Sequence, residues 1–296
     1  MLPLPEGHTF PMSKYARLHE RVLAVAPALG ITLHEPPAAS DAALARAHDA
    51  DYVRAMADGS ADPALMRRIG FPWSPAMVER SRRSSGGTMM ALQVALQGDG
   101  IAVNLAGGTH HAGPARGGGY CVFNDAAVAA RHVQALGLAR RVLVVDLDVH
   151  QGDGTALIAA GDESLFTFSM HSARNYPAIK PASDLDVPLP DGTADDAYLD
   201  ALASHLPQAI ERARADAVVY LAGADPFIGD RLGHLALSKP GLAERDCQVL
   251  AACRRHGLPL AVCMAGGYAP EVEDIVDIHA ATVQLAARYH QGLAAG

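Results

Sequence analysis

The run Asp146-Leu147-Asp148-Val149-His150 carries the densest chemistry in the chain. It follows the apolar, β-branched segment Val142–Val145, which reads as a buried strand. Strand side chains alternate, so Asp146, Asp148 and His150 project to one side while Leu147 and Val149 pack on the other. Two carboxylates and an imidazole at that point are costly to desolvate unless a cation sits among them. A hydrogen-bonded acidic strand end is the plainer alternative. Oxygen and nitrogen donors without a thiolate suit zinc, iron or manganese. Asp225, after the apolar segment Ala217–Leu221, is the natural third ligand, and a catalytic zinc keeps three protein ligands and an open position for water.

The pair His110-His111 needs another account. It follows the strand-like Ile101–Leu105 and lies between Gly107-Gly108 and the glycine run Gly117–Gly119. Adjacent histidines do not easily ligate one metal together, and tandem histidines in loops are often only solvated. Here Asp146 and Asp153 are available to hold the two rings. A carboxylate bonded to one ring nitrogen fixes the tautomer and raises the basicity of the other. That is what a general base for a metal-activated water requires.

The elements that must position these groups alternate. Strands are expected at Ile101–Leu105, Val142–Val145, Leu165–Ser169, Ala217–Leu221 and Leu260–Met264, with helices over Pro75–Gln97, Asp125–Leu136, Ala194–Ala215, Gly241–His256 and Pro270–Tyr289. Asn124 and Asp195 read as caps, and Gly98, Gly137 and Gly257 as stops. The N-terminal part offers helices near Ser13–Leu29 and Asp41–Ala57 and one short strand, Gly30–Leu33. Such alternation predicts a single three-layer α/β/α domain over residues 1–296 with a mainly parallel sheet. Ligands bind at the carboxyl ends of such strands, and there the sequence places GGTHHAGPARGGGYCVFND, DLDVHQGDGT, SMHSARNY, AGADPFIGDRLG and AGGYAPE.

Composition narrows the class. Half of the 296 residues are apolar and 19% are charged, enough for one large core. A net charge of −8 argues against nucleic acid and favours a cationic partner. No apolar run approaches a membrane span, and prolines, Glu6 and His8 interrupt the N-terminus where a signal peptide needs an apolar core. These features point to the cytoplasm. The four cysteines form no C-x-x-C pair, so neither a zinc ribbon nor a disulfide framework is expected.

The motifs G-G-T-H-H-A, D-L-D-V-H-x-G-D-G-T, S-M-H, A-G-A-D and G-G-Y, in this order from about Pro11 to Tyr268, resemble the histone-deacetylase branch of the arginase/deacetylase superfamily. F-P-M-S-K-Y, P-W-S-P-A-M-V-E-R-S-R-R-S and G-D-R-L-G-H-L-A-L-S look like class IV deacetylases and their bacterial relatives. The resemblance implies an arginase/deacetylase-like fold and a zinc-dependent amidohydrolase that removes an acetyl or longer acyl group from lysine in protein or peptide, or from a polyamine. Iron(II) is an alternative metal. It makes Asp148, His150 and Asp225 the metal ligands, His110 and His111 a dyad supported by Asp146 and Asp153, and Tyr268 the oxyanion donor. A structural potassium would lie at Asp146, Asp148, His150, Ser169 and Met170, and Gly119, Tyr120 and Gly267 would line an acyl-lysine tunnel. Tyr120 and Gln151 stand where relatives often carry Phe and His, and no rim carboxylate for the substrate backbone is matched.

Plainer readings apply elsewhere. Arg80, Arg82 and Arg83 read as a solvated helix face, and His19, His48, His205, His256 and His290 as surface or capping residues. Cys121 reads as packing rather than a reactive thiol, and His171 as structural. The glycine run either opens the tunnel wall to a long acyl chain or only permits tight turns. Two rival functions remain: a binuclear-manganese ureohydrolase, which needs further bridging ligands, and a non-catalytic acyl-lysine or metal-sensing module.

Overall fold

The computed structural model describes residues 2–292. Its elements run α1 (Ser13–Leu29), α2 (Asp41–Leu44), α3 (Ala50–Asp58), α4 (Pro63–Ile69), α5 (Pro75–Val94), β1 (Ile101–Asn104), α6 (Asp125–Ala135), β2 (Val142–Asp146), α7 (Asp153–Ala159), β3 (Leu165–Ser172), β4 (Leu185–Leu189), α8 (Asp195–Ala213), β5 (Ala217–Leu221), α9 (Lys239–Arg255), β6 (Leu260–Cys263) and α10 (Val272–His290). The six strands are ordered β1-β6-β5-β2-β3-β4 and every pairing is parallel. Among the described residues no helix is long and apolar enough to cross a membrane.

Parallel strands covered on both faces must be apolar on both, and β2 and β5 are buried throughout. Leu143 and Val145 face one core with Leu202 and Leu206 of α8, Val249 of α9 and Ile275 of α10. Val142 and Val144 face the other with Ala126–Ala130 of α6 and Leu92 of α5. Helix starts follow local chemistry: the side chains of Ser74, Asn124 and Ser238 accept from the backbone N–H groups of Met77, Ala127 and Gly241.

The differences from the sequence expectations have local causes. Gly30–Leu33 is not a strand, because Gly30 takes the left-handed cap of α1. Asp41–Ala57 is two helices, α2 and α3, separated by a turn in which His48 bonds away to the Gly113 carbonyl. β4 is an additional edge strand whose Pro188 reads as a breaker but is tolerated at an edge. α4 and α7 are short helices that proline and glycine conceal. Asp195 lies one residue inside α8 and, instead of capping it, accepts from the N–H and hydroxyl of Ser238.

One polar cluster crosses a core. Arg245 on α9, 0% exposed, donates to Asp246 at 2.9 Å and to the Gly223 carbonyl at 2.6 Å. Asp246 also accepts from the hydroxyls of Tyr220 and Thr282. Removing the carboxylate strands a buried guanidinium, so Asp246→Ala should cost about 3–5 kcal/mol of unfolding free energy, measurable as a fall in the denaturation midpoint.

Candidate active site

Loops leaving the carboxyl ends of β1, β2, β5 and β6 carry His110, His111, Asp148, His150, Asp225 and Tyr268, and the loop after β3 adds Tyr176. β2 ends at Asp146, earlier than the pattern through His150 suggests, but the alternation continues beyond it: Leu147 and Val149 enter the α8–α10 core while Asp148 and His150 turn the other way. Ligand atoms of Asp148, His150 and Asp225 lie within 4.8 Å of one another, and all three residues are buried. His150 Nδ1 is 3.0 Å from Asp148 Oδ1 and 3.3 Å from Asp225 Oδ2. Backbone N–H groups hold the carboxylates from behind: Gly266 donates to Asp148 Oδ2 at 2.8 Å and Val149 to Asp225 Oδ1 at 2.9 Å. Asp225 Oδ2 is buried and lacks a hydrogen-bond partner. An orphaned carboxylate oxygen facing an imidazole nitrogen and a second carboxylate fits a divalent cation bound by oxygen and nitrogen.

The electrostatics agree. Burial, then the neighbouring Asp148 charge, push the Asp225 carboxyl up to about 7. Burial disfavours the charged His150 ring, yet Asp148 and Asp225 outweigh it and hold the ring at about 10. In the protein without metal this site therefore holds protons that a cation must displace.

The two dyad rings sit side by side, centroids 4.2 Å apart, over the same cavity. His110 Nδ1 lies 2.7 Å from Asp146 Oδ2 and His111 Nδ1 lies 2.6 Å from Asp153 Oδ1. The rings are driven apart in pKa. Burial opposes charge on His110, but Asp146 and Asp148 hold it at about 9; burial and the His110 charge push His111 down to about 4. Arg116 donates to the second Asp153 oxygen at 2.8 Å. Sequence reasoning passed over Arg116, whose signal was a lone cation within the glycine-rich loop. It also passed over Tyr176, whose ring meets His111 edge-on at 4.8 Å, and over Lys14, which is 3% exposed and directed at the Ala265 and Gly267 carbonyls.

Tyr268 is fixed through its N–H, which donates to Asp230 Oδ2 at 2.6 Å. Burial, with Asp225 and Asp148 nearby, raises its phenol well above the ordinary range, so it stays a donor. Tyr120, at φ 64°, bonds the Thr9 hydroxyl at 2.9 Å. A cavity of about 190 Å³ is lined by His110, His111, His150, Gly119, Tyr120 and Tyr268 among others. Two of the three glycines in the run are crowded, since a Cβ at Gly119 would lie 2.5 Å from the His111 ring and one at Gly117 would lie 2.6 Å from Ile69, whereas one at Gly118 would meet Arg68 and Tyr176 at 3.4 Å. Of the potassium set, Asp146 lies opposite Ser169 in the β2–β3 register, with Met170 next along β3.

Three plainer readings also resolve. The guanidinium of Arg80 is half-buried and lies over the Tyr15 ring at 4.8 Å, while Arg82 and Arg83 pair with Asp41 and Glu35. His48 is buried, bonding the Gly113 carbonyl and the Asn124 N–H, rather than at the surface. Cys121 is buried and its thiol is pushed up by burial, as packing requires.

A Histone deacetylase domain model matches residues 8–283. The chain belongs to the histone deacetylase family. This deacetylase is 46% identical over 277 residues to an uncharacterised protein of Picosynechococcus sp., covering 94% of this chain and 92% of that one. It is 29% identical over 270 residues to Histone deacetylase 2 of Arabidopsis thaliana, covering 88% and 70%. Among solved structures, the HDA15 HD domain superposes with a TM-score of 0.82 at 21% identity, covering 97% of this chain and 84% of that chain. Acetylpolyamine aminohydrolase from Burkholderia pseudomallei gives 0.72 at 22%, covering 90% and 89%. The fold is that of the arginase/deacetylase group, and the enzyme is a hydrolase acting on amide bonds. The ureohydrolase alternative lacks a second ligand set: Asp148, His150 and Asp225 are the one such group among the described residues, and Asp153 is engaged by His111 and Arg116.

Two predictions follow from this geometry. A Cβ at Gly266 would lie 2.0 Å from Asp225 Oδ2, so Gly266→Ala should lower metal stoichiometry, read by elemental analysis after dialysis. Because His150 is protonated below about 10 and Asp225 up to about 7 in the metal-free protein, metal binding releases protons. Apparent affinity should then rise with pH between 6 and 8, by about tenfold per unit above 7, where one proton is released, and more steeply below it, where two are, as titration calorimetry in two buffers would measure.

Proposed function

We propose that this deacetylase removes an acyl group from the ε-nitrogen of lysine, with zinc held by Asp148, His150 and Asp225. The observation that carries the reading is the orphaned Asp225 oxygen within a buried three-ligand set, beside two carboxylate-held histidines and Tyr268 in one cavity. Asp148, His150 and Asp225 would hold a divalent cation that, when bound, would supply Lewis-acid polarisation of an acyl carbonyl and a more acidic water, and iron(II) suits the same donors. His111, kept neutral by burial and the His110 charge, takes the proton of the attacking water at Nε2 while Nδ1–H donates to Asp153. His110, charged and anchored by Asp146, faces the negative charge that develops on the acyl oxygen. Tyr268 donates a hydrogen bond from its hydroxyl to that oxygen and keeps its proton. The proton on His111 then passes to the leaving amine.

Potassium is proposed at the backbone of Asp146, Asp148, His150 and Met170 with the Ser169 hydroxyl, where β2 and β3 run in register. An acetyl or other short acyl group suits the cavity better than a long chain. Lys14, Arg80 and Ser84 line it, and Gly117 and Gly119 abut Ile69 and the His111 ring. An acylated polyamine is the alternative carrier. Four free cysteines fit a reducing compartment, and we place the enzyme in the cytoplasm, acting without nucleic acid or membrane.

The test is turnover of one lysine peptide carrying acetyl to myristoyl groups, with elemental analysis of the purified enzyme. The expected result is zinc near one per chain and acetyl preferred over octanoyl by about tenfold or more in kcat/KM. No turnover of any acyl-lysine would refute the reading. Tyr268→Phe should lower kcat by about 10²–10³ while metal content and KM hold, since its bond forms with the developing charge.

A further inference from the structure

Resting on the lysine-deacylase reading, we propose that the mouth of the site selects acyl-lysine carried in an acidic peptide segment, and that Arg67 and Arg68, backed by Arg116, recognise it. An outer groove of about 560 Å³ shares Gly119, Tyr120 and Tyr176 with the catalytic cavity and so adjoins it. Three arginines line this groove and one carboxylate does, that of Asp153. Asp153 is 1% exposed and already engaged by His111 and Arg116. Arg67 and Arg68 are exposed, and neither forms an ion pair among the described residues.

The backbone fixes them there. At the end of α4 the Arg68 carbonyl accepts from Gly119 N–H at 3.2 Å and the Ile69 carbonyl from Tyr120 N–H at 2.8 Å. The last turn of α4 is thus stitched to the tunnel wall, and the stem of Arg68 lies against Gly118. Cations at a helix carboxyl end are favoured by its dipole, but α4 has 7 residues and Arg116 arrives from a different loop. Their convergence on one groove is not explained by the helix.

The chemistry of the groove decides between carriers. The chain as a whole carries −8, which would attract cations, yet its catalytic mouth is locally positive. A polyamine, cationic along its length, would meet like charge on the way in. A peptide can place carboxylates against Arg67 and Arg68 and apolar groups on Ile179 and Tyr176, which are 90% and 45% exposed at the groove.

The experiment compares acetyl-lysine peptides of equal length with acidic, neutral or basic flanks, and acetylspermidine, by turnover and by fluorescence anisotropy of labelled peptides. The expected result is an acidic-over-basic preference of about tenfold or more at low salt, carried by KM, shrinking to under about threefold in 0.5 M salt. The double variant Arg67→Glu/Arg68→Glu should invert the order, favouring basic flanks, an outcome that misfolding would not produce. Equal use of the three peptides, a preference for basic peptide or acetylspermidine, or an order unchanged in the double variant overturns the proposal. Arginine-dependent binding of acidic peptide without turnover supports the groove and refutes the lysine-deacylase reading instead.

Discussion

The cost of keeping carboxylates out of water is the constraint on which the site depends. Asp146, Asp148, Asp153 and Asp225 are all buried at one edge of the sheet. Each answers that cost differently: Asp146 and Asp153 take an imidazole each, while Asp148 and Asp225 lean on backbone N–H groups and leave one oxygen facing His150. Left as it stands, the last arrangement holds Asp225 near 7, a strained titration for a carboxyl, and a divalent cation relieves it. The loops are shaped to keep this geometry. Gly266 and Gly223 pass so close to the two ligand carboxylates that neither tolerates a side chain.

The same cost explains why the dyad is asymmetric. The two histidines are neighbours in sequence and in space, and each has its carboxylate, yet one is held at about 9 and the other at about 4. His110 faces Asp146 and Asp148 together, whereas the Asp153 charge that His111 meets is shared with Arg116. A pair of titratable groups pushed apart by their surroundings supplies an acid and a base in one cavity. Removing Arg116 would alter this split without touching either ring.

Much of this was legible because buried parallel strands write plainly. Val142–Val145 and Ala217–Leu221 are apolar runs bounded by acid-bearing turns, and placing their carboxyl ends together brings Asp148, His150 and Asp225 into reach. What stayed hidden depends on contacts far apart in sequence. Lys14 reaches carbonyls 251 and 253 residues away, and no local pattern announces that a lysine in a helix of ordinary amphipathicity will be buried. His48 looked like a helix-surface residue until the turn after α2 carried it onto the Gly113 carbonyl. β4 was obscured by Pro188, whose missing N–H matters little on a strand with one neighbour. The glycine run was read ambiguously because a glycine leaves the same blank in a sequence whether it borders space or a crowded ring.

Every proposed metal ligand and the histidines His110 and His111 follow β1, whereas Phe10, Tyr15, Arg67, Arg68 and Arg80, which furnish much of the cavity and groove, precede it. The strandless front of the chain frames the opening of the cavity and is tied to the rest through the α4 carbonyls that accept from Gly119 and Tyr120, through Lys14 on the Ala265 and Gly267 carbonyls, and through His48 on Gly113 and Asn124. Substitutions at the exposed Arg67 and Arg68 can therefore change the charge of the opening without moving the buried carboxylates and histidines behind it.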